Sequence, residues 1–147
     1  VLCSPLGRAK ETCRIADYLN QAIMTDDLRE WDYGRYEGRI TADIRKEIPG
    51  WTIWTGPVQG GESVEQVGAR VRRVIERASA ADGDVALFAH GHVLRILAAC
   101  YLGLPPIDGR LLALSTAAIS RLGYEHETRV ITAWNQDWHL RMDETHN

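Results

Sequence analysis

The run Val85-Ala-Leu-Phe-Ala89 is apolar without interruption and passes directly into His90-Gly91-His92. Behind it, Val93, Leu94, Leu97, Ala98, Tyr101 and Leu102 recur at helical spacing. A short run that is evenly apolar fits a strand buried on both faces, which means a central parallel strand covered by helices. The start of the chain repeats this plan. Val1-Leu2-Cys3 reads as a buried strand end. Ser4-Pro5 follows as a helix N-cap and a proline at the first helical position, and Leu6, Ala9, Cys13, Ala16 and Leu19 mark one helical face. Strands alternating with helices predict an α/β fold: a three-layer αβα sandwich with a mostly parallel central sheet. Residues 117–124 and 128–134 are β-rich and flank the polar Glu125-His126-Glu127, so they predict an antiparallel pair at one sheet edge.

Between the two units lie weaker signals. Residues 28–38 read as a loop punctuated by Gly34 and Gly38. Ile40, Ile44 and Ile48 are four apart and predict a short helix over 41–48, ended by Pro49-Gly50. Residues 51–61 form a second loop carrying Trp51, Trp54, Pro57 and Gly60-Gly61. Ser63 followed three residues later by Gln66 is a capping box. It opens a helix whose stripe is Val64, Val67, Val71, Val74, Ile75 and Ala78. A polar tail follows Leu140. With 147 residues and no linker, residues 1–147 read as a single domain.

Composition excludes several roles. The formal charge is −3 and Lys/Arg form no run, so nucleic acid is not an expected partner, nor is a membrane surface. Three scattered cysteines, an odd number, are no disulfide framework and no CxxC metal pair; they read as small buried hydrophobes in a reducing cytoplasm. The first residue is Val inside an apolar run, so the chain is expected to begin partway through its protein.

In open α/β sheets, ligands bind outside the carboxyl ends of strands. Ser4 to Arg8 and His90 to His92 fall there. A helix N-terminus offers free N–H groups and the positive end of a dipole, which favour an anion. Gly91, lacking a Cβ, lets a ligand approach the backbone. His90 can donate hydrogen bonds, move a proton or act as a nucleophile; it can also merely cap the helix. Arg8 offers a planar guanidinium suited to phosphate oxygens, or is a solvated surface arginine. Glu30, beside Trp31, can deliver a proton to a leaving oxygen, but Asp32 and Glu37 are equal competitors on sequence alone. His90 and His92 lack the spacing of a helical zinc pair, so neither a metal nor a cofactor is expected. His126, His139 and His146 read as surface residues.

Three stretches taken together resemble the histidine phosphatase superfamily, also called the phosphoglycerate mutase-like family, in its broad-specificity phosphatase branch. Ser4-Pro-Leu-Gly-Arg-Ala-Lys-Glu-Thr12 is similar to its SPLxRAxxT motif. Leu28-Arg-Glu-Trp-Asp-Tyr-Gly34 with Tyr36-Glu-Gly38 is similar to its acid loop, and Ala89-His-Gly-His-Val-Leu-Arg95 to its second histidine motif. Gly60-Gly-Glu-Ser63 and Trp134-Asn135 to His139-Leu140 add weaker echoes.

The resemblance implies that Arg8 grips the transferring phosphoryl group. It implies that Glu30 is the general acid, that His90 stabilises the phosphoryl oxygens, and that the Gly91 N–H adds a donor. It implies a metal-independent, acid phosphatase-like hydrolysis of small phosphate esters through a phosphohistidine. A homodimer is compatible with it. The family's nucleophile stands in an Arg-His-Gly motif, which occurs nowhere in this sequence, so the first β-α unit and its histidine are expected upstream. A phosphoglycerate mutase, or a phosphate-binding module without catalysis, are the competing expectations. The short stretch 39–60 favours hydrolysis over the mutase. Tyr36, Trp51 and Trp54 either wall an organic substrate group or pack beneath their loop.

Overall fold

The computed structural model describes residues 1–140. The polar tail after Leu140 and His146 lie outside the described residues. Three short parallel strands form the central sheet: β1 (Leu2–Cys3), β2 (Ile23–Met24) and β3 (Leu87–Phe88), in the order β2-β1-β3. Leu2 pairs with Ile23 on one side and Leu87 on the other.

Side chains alternate across a strand, and that alternation sorts the layers. Leu2, Leu87 and their neighbours Val85 and Ala89 face a large core built by α3 (Val64–Ser79) and α4 (Gly91–Tyr101). Cys3, Phe88 and Val1 face the opposite way, onto Ala9 and Cys13 of α1 (Gly7–Ile15). The expected three layers are present, with α1 on one face and the α3–α4 pair on the other. All three cysteines are buried and free.

Several elements differ from the sequence reading. Helix α1 starts at Gly7 with Leu6 as its N-cap, and it ends at Ile15, short of Leu19, which opens a 3-10 turn (Leu19–Gln21). The Ser4 side chain does not cap that helix. Strand β2 went unread because Ile23 and Met24 are only two residues and both exposed, so no apolar pattern marks them. The antiparallel strands β4 (Ile119–Glu125) and β5 (Thr128–Gln136) pair with each other as a separate sheet rather than joining the parallel one. Tyr101 ties this sheet to α4 by donating its hydroxyl proton to the Gly123 carbonyl at 2.9 Å.

The short helix α2 (Thr41–Glu47) forms as expected. So does the capping box. Gln66 N–H donates to Ser63 Oγ at 3.2 Å and Ser63 N–H to Gln66 Oε1 at 2.7 Å. Ser63→Ala is expected to destabilise the fold by about 1 kcal/mol, read as a lowered urea midpoint with an unchanged slope. No loss would mean that packing alone fixes the start of α3.

Candidate active site

Four segments distant in sequence meet at the carboxyl ends of β1 and β3. The first is Ser4 to Arg8. Ser4 is fully buried, and its Oγ lies 2.8 Å from His90 Nε2 while accepting the Leu6 N–H at 3.3 Å. The serine read from sequence as a helix cap thus fixes the histidine ring instead, across 86 residues. Arg8, in the first turn of α1, is exposed. No hydrogen bond or ion pair to another described residue occupies its guanidinium. Its charge nevertheless bears on His90 and Tyr33.

The second segment carries the acid loop. Glu30 Oε1 accepts the N–H groups of Trp31 at 2.9 Å and Val93 at 3.0 Å, and Oε2 accepts that of His92 at 3.2 Å. The N-terminus of α4 therefore does have a partner, and that partner is the protein's own Glu30 carboxyl group. Gly91 opens α4, and a Cβ there would stand 4.0 Å from Glu30 Oε2. The sequence left Asp32 and Glu37 level with Glu30, and the geometry separates them. Asp32 Oδ1 accepts the Gly34 N–H at 2.8 Å and Glu37 Oε1 the Tyr33 N–H at 3.0 Å, so both are used inside their own loop.

The third segment, 59–70, braces the second. Gly34 has φ +54°, and a Cβ on it would fall 2.2 Å from the Gln59 carbonyl oxygen. A Cβ on Gly61 would fall 2.2 Å from the Asp32 carbonyl oxygen. The two loops press backbone against backbone, and only glycines allow it. Trp31, 1% exposed, donates its indole N–H to the Glu62 carbonyl at 2.8 Å. Arg70 of α3, also buried, reaches the same region.

In the fourth segment His90 is the N-cap of α4 and is buried. Burial, then the Arg8 charge, hold its ring below the ordinary histidine value of 6.5, against the opposing pull of Glu30. Burial foremost holds His92 low as well. The fold thus favours neutral rings, and their stabilising contribution is present above pH 6.5 and lost as pH falls through the lower native values. Stability is expected to fall as pH drops below 6.5, and to fall less steeply in His90→Gln, by urea unfolding over a pH series. An unchanged slope in the variant would remove His90 from the effect.

Sequence reading gave His92 no role, and it proves central to an aromatic box. Its Nδ1 lies 2.7 Å from the Tyr33 hydroxyl, and its ring meets Trp31, Tyr33 and Trp54 edge-on at centroid distances of 6.2, 5.7 and 5.3 Å. Trp54 carries the Arg95 guanidinium 4.8 Å above its ring. Tyr36 and Trp51, by contrast, pack on each other at 5.1 Å in a small core with Ile44. Of the three aromatics, only Trp54 stands beside the site. A cleft of about 570 Å³, lined by Trp31, Ile53, Trp54 and Glu62 among others, borders the site through Trp54 and includes none of Arg8, Glu30, His90 or Gly91. His139 is half-buried rather than a free surface residue, with Nε2 3.0 Å from the Ala117 carbonyl oxygen. Among the described residues no group of three or more His, Cys, Asp or Glu could hold a metal ion, and no helix is long and apolar enough to cross a membrane.

Comparison with known proteins adds an independent line. The family described as the histidine phosphatase superfamily, branch 1, matches residues 1–137. An acid phosphatase of Mycobacterium tuberculosis is 38% identical over 131 residues, covering 88% of this chain and 64% of that protein. A probable phosphoglycerate mutase of an Enterobacter species is 33% identical over 144 residues, covering 91% of this chain and 67% of its own. Among solved structures, an open reading frame of Mycobacterium tuberculosis superposes with a TM-score of 0.86 at 35% identity, over 92% of this chain and 70% of its own. The chain thus spans about two thirds of the length of these relatives.

Proposed function

The chain belongs to the histidine phosphatase superfamily, and from that premise we propose that it forms the larger part of a metal-independent phosphomonoesterase acting on small phosphorylated metabolites. In this reading the Arg8 guanidinium grips the phosphoryl oxygens. His90 donates to the same oxygens as their charge grows in the transition state, where fixed donors count most. The Ser4 hydroxyl, 2.8 Å from Nε2, fixes the ring; in this reading it donates to Nε2, and the ring proton on Nδ1 is the one offered to the phosphoryl oxygens. Glu30 protonates the departing alkoxide and afterwards takes a proton from the attacking water. The Gly91 N–H is a further donor. The nucleophile is a histidine outside this sequence, which contains no Arg-His-Gly, and phosphate passes through a phosphohistidine.

The observation that supports this reading best is the meeting of Glu30 with the His90 end of α4. One carboxylate of three in its loop reaches across to the strand-to-helix junction where the histidine stands. The similarity to an acid phosphatase points the same way.

The test uses the protein carrying the nucleophile segment. It should hydrolyse 4-nitrophenyl phosphate in excess chelator and leave an acid-labile phosphoenzyme on rapid quenching. A folded protein inert across a broad phosphate-ester panel would overturn the proposal. The similarity to a probable phosphoglycerate mutase favours a second reading. It predicts exchange between 2- and 3-phosphoglycerate stimulated by the bisphosphate, with little net release of phosphate.

A further inference from the structure

Arg70 lies on the flank of the apolar stripe of α3, between Val67 and Val74, and is only 8% exposed. A guanidinium carries five N–H donors. Here all five are used. Nε donates to Glu62 Oε1 at 2.8 Å, and Nη2 to Glu62 Oε2 at 2.9 Å and to the Glu30 carbonyl at 3.3 Å. Nη1 donates to the carbonyls of Asp27 at 2.8 Å and Arg29 at 2.7 Å. Arg70 has no donor left for a phosphoryl group, unlike the unengaged Arg8. Its partners are instead the backbone of the acid loop, ending at Glu30 itself.

Glu62 completes the grip. Besides taking the Arg70 fork, its Oε2 accepts the Asp32 N–H at 3.1 Å and its own N–H donates to the Asp32 carbonyl at 3.0 Å. Its carbonyl takes the Trp31 indole proton. Every residue from 27 to 32 is therefore held by Arg70 or Glu62, except Leu28, which is fully buried in the main core. From that fixed backbone the Glu30 carboxylate reaches the Val93 and His92 N–H groups at 3.0 and 3.2 Å.

Stability alone does not account for such a pair, because well-packed apolar side chains commonly serve as well as a buried ion pair or better. What apolar residues cannot supply is a set of directed bonds to three carbonyls of one short segment. We propose that Arg70 and Glu62 form a latch that positions Glu30 for proton transfer. Arg70 is a positioning residue, acting through Glu30 and touching no substrate. This rests on the reading of Glu30 as general acid.

A general acid matters most when the leaving group is a poor one, and the test exploits that. It uses the protein carrying the nucleophile segment, with glycerol 2-phosphate as the alkyl ester and 4-nitrophenyl phosphate as the activated one. Arg70→Met is expected to lower kcat/KM, which stops at loss of the alcohol and leaves out the shared hydrolysis of the phosphohistidine, on the order of 30-fold for the alkyl ester and less than about threefold for the aryl ester. In a Glu30→Gln background Arg70→Met should add almost nothing, because both changes remove the same proton transfer. An equal loss on both esters, or losses that multiply with Glu30→Gln, would show a merely structural arginine and overturn the latch. If Arg70→Met does not fold, Glu62→Gln keeps the shape, removes the charge and is read on the same two esters. The two ideas fail differently. A Glu30→Gln variant that spares the alkyl ester sinks the general-acid reading and the latch with it. A selective loss in Glu30→Gln without one in Arg70→Met or Glu62→Gln sinks the latch alone.

Discussion

Glu30→Gln is expected to lower kcat/KM, which counts the steps up to loss of the alcohol and not the later hydrolysis of the phosphohistidine, on the order of 100- to 1,000-fold for an alkyl phosphate and far less for an activated aryl ester. Glutamine keeps the size and one carbonyl acceptor, so the bonds from Trp31 and Val93 to Oε1 can persist. It cannot deliver a proton to an alkoxide. A nitrophenolate leaves without that help, so the contrast between the two esters isolates the proton transfer from any loss of binding. The substitution also sets an amide NH₂ against the His92 N–H that Oε2 now accepts. Two donors facing each other leave one unsatisfied, a penalty of about 1–3 kcal/mol in stability. Thermal melting beside the kinetics separates the two effects. A variant that hydrolyses both esters at wild-type rates would assign the acid elsewhere.

The second large effect is expected at His90. His90→Gln should reduce kcat/KM on the order of 100- to 1,000-fold on alkyl and aryl esters alike, because charge on the phosphoryl oxygens develops whatever the leaving group. That uniformity distinguishes it from Glu30. Ser4→Ala should give a smaller loss, about tenfold, since it frees the ring without removing it. The double variant should match His90→Gln alone, because the serine acts only through the histidine. Rates read on both esters decide the matter. A leaving-group-dependent loss in His90→Gln would make His90 a proton donor instead, and a Ser4→Ala effect persisting without His90 would give the serine a role of its own.

The parts of this molecule legible in its sequence are those encoded by local spacing. The apolar runs at residues 1–3 and 85–89 gave the sheet, and the Ser63–Gln66 box gave the start of α3. Family motifs supplied Arg8, Glu30 and His90 as candidates. Bonds between distant segments were not legible. Ser4 followed by proline carries every local mark of a helix cap, yet its hydroxyl is taken by a ring 86 residues away. Glu30 could not be told from Asp32 and Glu37 until the N-terminus of α4 was placed against it. The Arg70–Glu62 latch spans 40 residues to reach Glu30 and leaves no periodic trace. One signal was available: an arginine flanking the apolar stripe of α3, where a charge survives only if paired. The aromatics of residues 36–54 divided between packing and the site for reasons of chain path, which composition does not record.

The excursion between Tyr36 and Pro57 has a small interior of its own in Tyr36, Ile44 and Trp51, joined to the interior shared by α3 and α4 through Tyr33 and Ile53. It rejoins the body where Gly34 and Gly61 cross, and Glu30 precedes that crossing in the chain. Changes confined to residues 39–50 should therefore leave the bonds that hold Glu30 and His90 intact, whereas Trp54, against the His92 ring, is tied to the site. Relatives that prefer different esters should diverge there first, with the crossing glycines held constant as the seam between a variable part and an invariant one.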